Sequence, residues 1–251
     1  MVDFVGAGCG AADLITVRGM RLIQNADVII YAGSLVNPEL TEFAKDSCEI
    51  CNSAHMTLDE VIEVMEKAEA AGKNTVRLHT GDPSLYGAIR EQTDRLDKLG
   101  IEYKICPGVS SFCGAAAALK AEYTLPEISQ SVIITRMAGR TPVPEKESLE
   151  SLAAHGASMV IFLSAGMTSE VSERLQKGGY SAETPAALVY KATWEDEKVC
   201  RCTVGTLAET AESNGINKTA LIVVGDFLGE NRFLSKLYDP NFETGYRKAK
   251  K

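Results

Sequence analysis

Two stretches of this sequence share one plan, suited to holding a small molecule. In the first, a strand-like run over 75–78 leads into His79-Thr80-Gly81-Asp82-Pro83-Ser84-Leu85-Tyr86-Gly87. In the second, a run over 101–105 leads into Cys106-Pro107-Gly108-Val109-Ser110-Ser111. Each has a strand-like run, a turn made by proline and glycine, then hydroxyls. Gly81 lets a ligand approach the backbone with no side chain in the way. Pro83 sets the turn and starts the next helix, for which Asp82 can serve as the cap. The second loop continues into small residues over 115–118, which let a helix pack tightly behind a ligand. If both runs are strands of one parallel sheet, both loops lie at its carboxyl edge, where such sheets bind ligands.

A third loop, Val5-Gly6-Ala7-Gly8-Cys9-Gly10, invites a dinucleotide reading and fails it. The G-x-G-x-x-G fingerprint needs a third glycine in register and an acid ending the second strand. Here the loop closes on Gly10-Ala11, and the second apolar run ends Tyr31-Ala32-Gly33. Asp27 stands at that run's start, the wrong end for a ribose. The loop reads as a tight strand-to-helix turn.

Other chemistries find little support. No His/Asp/Ser set and no paired carboxylates stand out, so no general base is named. Seven cysteines include Cys48-Glu49-Ile50-Cys51, but no second pair or CxxH accompanies it, and no metal site is expected. Cys200-Arg201-Cys202 alternates as a strand does. An odd cysteine count, with a chain that enters a strand at Asp3-Phe4-Val5 rather than a signal peptide, points to reduced thiols and the cytoplasm. The longest apolar runs, 132–134 and 221–224, are far too short to span a bilayer, so no membrane partner is expected. Lys and Arg number 26 against 34 Asp and Glu, and a net charge of −8 disfavours nucleic acid. Local cations can still hold a small anion: Arg136 and Arg140 can fork onto carboxylates, and Lys191 can add a charge. Arg140 stands in Gly139-Arg140-Thr141-Pro142-Val143-Pro144, a loop whose prolines bar regular structure. His79 reads as a strand-end residue, His55 is open, and Trp194 suits either a flat ligand or the core. The basic residues 247–251 read as a solvated end.

The elements that must position these loops alternate. Strands are expected over 3–5, 27–31, 75–78 and 101–105. Between them fall a helix closing at Ala26, one opening at Asn37-Pro38, one opening with the capping box Thr57-Leu58-Asp59-Glu60 and stopping at Gly72, and one over 86–99 closed by Gly100. After a lapse between Ala121 and Ser131 come strands over 132–135, 159–163, 187–190, 199–203 and 221–224. Helices over 168–177 and 206–213 join them, the latter with a capping box at Thr206 and Glu209. This predicts an α/β chain with two αβα domains and mostly parallel or mixed sheets. The domains are 1–114 and 131–230, with a linker over 115–130 and a loosely ordered tail over 231–251.

These motifs together resemble the tetrapyrrole (class III, corrin/porphyrin) methyltransferases over nearly the whole chain to about Asp226. The carriers are the opening glycine loop, Gly81-Asp82-Pro83 and Pro107-Gly108-Val109-Ser110. More specific are Thr135-Arg136-Met137-Ala138-Gly139-Arg140-Thr141-Pro142-Val143-Pro144 and Val189-Tyr190-Lys191-Ala192-Thr193-Trp194, which resemble a branch that methylates ring carbon 11 of a precorrin. The resemblance implies a cleft between the two domains that binds S-adenosyl-L-methionine as methyl donor, a tetrapyrrole substrate on the way to cobalamin, and a homodimer. Carried over position by position, the donor contacts are Gly81, Asp82, Leu85, Ser110, Ser111, Leu163, Ala192 and Ala220. The substrate contacts are Arg136, Arg140, Thr141 and Lys191. The family's opening loop usually runs G-x-G-P-G-D, whereas this chain has Cys9 and Ala11 at the proline and aspartate positions. Two other readings fit the motifs: the same fold acting on another precorrin carbon or on uroporphyrinogen, and a module that binds tetrapyrrole or adenosyl ligand without turnover.

Overall fold

The computed structural model describes residues 1–33, 35–230 and 235–249. The chain divides into two compact units, one of Met1–Ala115 with Lys191–Glu197, the other of Ala116–Tyr190 with Lys198–Lys251. The first unit holds β1 (Val2–Gly6), α1 (Val17–Asn25), β2 (Val28–Tyr31), β3 (Glu49–Asn52), α2 (Leu58–Ala70), β4 (Thr75–His79), α3 (Arg90–Leu99) and β5 (Tyr103–Cys106). The division between the units falls within α4 (Ser111–Leu119). Its described strands are all parallel in the order β3-β2-β4-β1-β5. β1 is buried along its length, as a central strand covered on both faces must be. Its alternate side chains enter two cores: Val5 joins Ile23, Ile29, Leu40 and Leu78 on the α1 side, and Phe4 joins Ile30, Ile62, Met65 and Leu96 on the α2–α3 side. The Thr57 capping box forms as expected, with hydroxyl and backbone bonded reciprocally to Glu60.

The second unit holds β6 (Val132–Arg136), α5 (Leu149–Ala153), β7 (Ser158–Phe162), α6 (Thr168–Lys177), β8 (Pro185–Tyr190), β9 (Lys198–Thr203), α7 (Leu207–Ser213) and β10 (Ala220–Val224). Its sheet order is β6-β7-β10-β8-β9, with β6 and β7 parallel and the other neighbours antiparallel. Met159, Ile161, Leu175, Leu188, Val204, Leu207 and Ile222 form its core.

Several expectations need correction. The helix expected from Tyr86 begins at Arg90, because Asp82 and Pro83 make a turn instead of a helix start. Tyr86 and Ala88 then take left-handed φ of 55° and 50°, which no continuing helix permits. The Asn37-Pro38 start is real, with Asn37 capping through Glu39 N–H, but the turn over Pro38–Phe43 is 3-10 rather than α. Thr206 makes no cap bond to α7; its hydroxyl accepts the Thr203 N–H at 3.0 Å instead. Part of the expected linker is α4. The short elements β3 and α5 were not expected at all, β3 because its exposed face lacks an apolar pattern. In the tail the Arg247 guanidinium donates to the carbonyls of Leu237, Asp239 and Phe242, a local order that composition does not announce. Lys250 and Lys251 of the basic end, and residues 231–234, lie outside the described residues.

β4 also sends Arg77 and His79 into the α2–α3 core. Arg77 donates to Gln92 Oε1 at 3.0 Å and to the Ile30 carbonyl at 3.1 Å, and burial pushes its pKa down to about 10. His79 is 5% exposed and stacks on Phe4 with ring centroids 5.9 Å apart. Burial, helped by the charge of Arg77, pushes its pKa down to about 3. The folded state therefore holds a neutral imidazole while the unfolded chain takes up a proton near pH 6.5. The stabilising contribution is complete above that pH and is lost as pH falls toward 3. Between pH 7 and 5 the wild-type protein should lose about 2 kcal/mol more stability than His79→Leu. Urea midpoints at the two pH values measure this, and parallel losses would contradict it.

Candidate functional site

The carboxyl ends of β1, β4 and β5 lie side by side, since the three strands are parallel and in register, Val5 pairing with both Leu78 and Cys106. The loops that follow meet as bare backbone. A Cβ built on Gly6 would stand 2.5 Å from Gly108 Cα and 2.6 Å from the Gly81 carbonyl oxygen. One built on Gly108 would run into that same oxygen and stand 2.6 Å from Gly6 Cα. Only glycine fits at either position. Gly81, with φ 62°, pairs with Gly8: Gly81 N–H donates to the Gly8 carbonyl at 2.9 Å, and Gly8 N–H donates back at 3.3 Å.

Asp82 binds the two predicted loops together. One carboxylate oxygen accepts Gly108 N–H at 2.8 Å; the other accepts Ser84 N–H at 2.8 Å and the Ser84 hydroxyl. Burial acts to raise its pKa, but the Ser84 hydroxyl, Gly108 N–H and Ser84 N–H outweigh it and hold the carboxyl below its ordinary range. Asp82 is thus a brace between loops, a role that its reading as a helix cap missed. Ser110 is buried and Ser111 half-buried at the start of α4, while Leu85 is half-buried in the turn after Asp82.

Lys191–Glu197 belongs to this same unit. Ala192 is buried between two left-handed neighbours, Lys191 at φ 46° and Thr193 at φ 70°. Such backbone costs about 1–3 kcal/mol per residue and persists only where surroundings enforce it. Here Lys191 Nζ pairs with Asp196 at 2.6 Å and lies 5.4 Å from the Trp194 ring centroid, while Thr193 N–H donates to Glu197 at 2.6 Å. Trp194 packs on Gly10, where an added Cβ would meet its indole.

The remaining predicted residues gather at one edge of the second unit's sheet. Arg136 ends β6 opposite Phe162, and the β7–β10 register carries Leu163 to a place across from Ala220. Leu163 is 64% exposed at φ 54°, an apolar side chain in strained backbone at a strand end. Ser164, missed in the sequence, is fully buried and accepts Met137 N–H at 3.0 Å, tying the ends of β6 and β7. Arg136 turns inward onto its own loop, donating to the carbonyls of Met137 (3.3 Å), Thr141 (3.1 Å) and Pro142 (2.7 Å). Arg140 and Thr141 are exposed on that loop, and Arg140 makes no ion pair among the described residues.

Asp27, dismissed above as a ribose ligand, accepts Lys45 Nζ at 2.6 Å and Asn74 N–H at 2.8 Å as a fastener at the opposite edge of the first sheet. For Asp82 the bonding makes a sharp expectation. Asn in its place sets an N–H against either Gly108 N–H or Ser84 N–H, whichever way the amide turns. Asp82→Asn should therefore lower stability by about 1–2 kcal/mol, and thermal unfolding followed by circular dichroism measures it; an unchanged midpoint would remove the brace.

The family model of the Tetrapyrrole (Corrin/Porphyrin) Methylases matches residues 1–208. The cobalt-precorrin-4 C(11)-methyltransferase of Methanocaldococcus jannaschii is 57% identical over 251 residues, covering 100% of this chain and 97% of that protein. The enzyme of the same name from Priestia megaterium is 46% identical, covering 98% and 97%. Among solved structures, the X-ray structure of a cobalamin biosynthetic enzyme, cobalt precorrin-4 methyltransferase, superimposes with a TM-score of 0.89 at 46% identity, covering 90% of this chain and 95% of that one. The chain belongs to the tetrapyrrole (corrin/porphyrin) methylase family.

Proposed function

We propose that this protein transfers a methyl group from S-adenosylmethionine to carbon 11 of cobalt-precorrin-4 or precorrin-4, a step of corrin ring construction for cobalamin. The observation that carries the reading is similarity along the full chain to two enzymes of that name, in a protein whose glycine loops pack backbone against backbone at one sheet edge. The reading includes two αβ domains over 1–114 and 131–230, a cytoplasmic enzyme and a homodimer.

The donor edge is assigned to Gly81, Asp82, Leu85, Ser110, Ser111 and Ala192, with Leu163 and Ala220 from the second sheet. An adenosyl donor fits what these residues offer: a left-handed Gly81 without a side chain, a buried serine, and small or apolar side chains. Asp82 serves through its backbone and its brace, because both carboxylate oxygens already accept N–H or O–H groups. The bound sulfonium supplies an electrophilic methyl, and a reduced tetrapyrrole supplies an electron-rich carbon. The protein's work is to hold the two in line with water excluded, a contribution of about 7–11 kcal/mol that needs no strong base.

The substrate carries several carboxylates, and Arg140 is the group assigned to grip one of them by a two-pronged bond. Arg136 supports it by closing the loop onto its own carbonyls, which leaves Arg140 and Thr141 outward. Lys191, paired with Asp196, adds charge nearby in the sequence to Ala192. Arg140→Ala should lower kcat/KM for the macrocycle by about tenfold or more, while leaving donor affinity unchanged. Steady-state kinetics with each substrate varied separately tests this, and an equal loss for both would remove the assignment.

The reaction itself is tested by incubation with carbon-13-methyl S-adenosylmethionine and a cobalt-precorrin-4 preparation. One added methyl in the mass spectrum, placed at carbon 11 by NMR, is the expected product. A methyl at another ring carbon would redirect the reading to a sister reaction, and bound but unchanged donor would make the protein a binding module.

A further inference from the structure

Resting on the donor reading above, we infer that Thr193 is a positioning residue: its hydroxyl sets the opening glycine loop and, through Gly8, the Gly81 loop on which the donor lies. Two bonds converge on that hydroxyl. Ala11 N–H donates to Thr193 Oγ1 at 3.0 Å, and the Thr193 O–H donates to Cys9 Sγ at 3.6 Å. One hydroxyl can accept and donate at once, so the two bonds support each other.

Ala11 needs such a partner. It stands at the N-cap of the 3-10 turn Ala12–Leu14 and offers no side-chain cap of its own. In a capping box the third residue of the turn reaches back to the N-cap N–H. That residue here is Leu14, which has no acceptor. Thr193, 182 positions along the chain, supplies the missing one. Cys9 and Ala11, the two departures from the usual opening loop, thus meet at a single side chain.

The contact is close and enforced. A Cβ on Gly10 would stand 2.6 Å from both the Ala192 carbonyl oxygen and Thr193 Oγ1. Thr193 holds a φ of 70°, a conformation that a β-branched residue rarely adopts. Glu197 binds its N–H, and Trp194 N–H closes back on the Lys191 carbonyl at 3.0 Å. Glycine would make such a turn without strain, so the turn alone does not account for threonine. From Ala11 the path to the donor edge is short. Gly8 exchanges two backbone hydrogen bonds with Gly81, and Asp82 then bonds Gly108 N–H. A loop released at Ala11 moves the Gly8 partner of Gly81.

The test compares Thr193→Val, which keeps the shape and removes the hydroxyl, with Thr193→Ser, which keeps the hydroxyl. S-adenosylhomocysteine affinity by calorimetry, steady-state kinetics and amide exchange at Ala11 are the readouts. Valine should weaken S-adenosylhomocysteine about tenfold and raise KM for the donor with kcat nearly unchanged. Serine should restore both to within about threefold of wild type. In the free protein the Ala11 amide should exchange faster in the valine variant than in wild type. Should valine fail to fold by circular dichroism, Thr193→Ala carries the same comparison with less crowding. Wild-type affinity in the folded valine or alanine variant, or serine as defective as valine, overturns the inference. Wild-type protein that takes up no S-adenosylhomocysteine overturns the donor reading instead, and the exchange rates still report whether Thr193 holds Ala11.

Discussion

Three glycines at the ends of three parallel strands set the terms for the rest of the molecule. Gly6, Gly81 and Gly108 approach so closely that no Cβ can stand on Gly6 or Gly108 without displacing backbone. Backbone at that distance must satisfy its polar groups locally. The structure does this with the Gly8–Gly81 exchange and with the Asp82 carboxylate on Gly108 N–H. Loops joined in this way form one closely packed layer of peptide groups, with backbone where side chains would otherwise stand.

The sheets serve the edges differently. In the first unit a buried, all-parallel sheet brings three loops to one line, with Phe4, Leu78 and Met65 packed beneath them. In the second, a mixed sheet presents strained Leu163 and the loop that Arg136 draws closed. Charge follows the same division of labour. The protein is acidic overall, and Arg140 is an exposed cation on a loop whose partner arginine is occupied in shaping it.

Much of this was legible in the residues, and the failures have physical reasons. Apolar runs and glycine–proline turns marked nearly every strand because buried parallel strands need no polar face. Thr57 and Glu60 announced their capping box because its partners are three residues apart. Thr206 and Glu209 have the same spacing, yet the hydroxyl accepts the N–H of Thr203, on the other side of it in the chain. The start of α3 was misplaced because left-handed φ at Tyr86 and Ala88 is imposed by the fold, not by side-chain type. β3 lies at a sheet edge with three of its four residues exposed. Glycine motifs located the candidate site, but the contacts that organise it, Asp82 to Gly108 and Ala11 to Thr193, join residues far apart in the chain, which no local pattern encodes.

The central claim is that the closed glycine edge is where the methyl donor lies. Difference electron density from crystals grown with S-adenosylhomocysteine tests it most directly. The account predicts density along the carboxyl ends of β1, β4 and β5, with ligand atoms in hydrogen-bond reach of the Gly81–Asp82 backbone and of Ser110 or Ser111. Ligand density elsewhere, with that edge filled by the protein's own side chains, would contradict it.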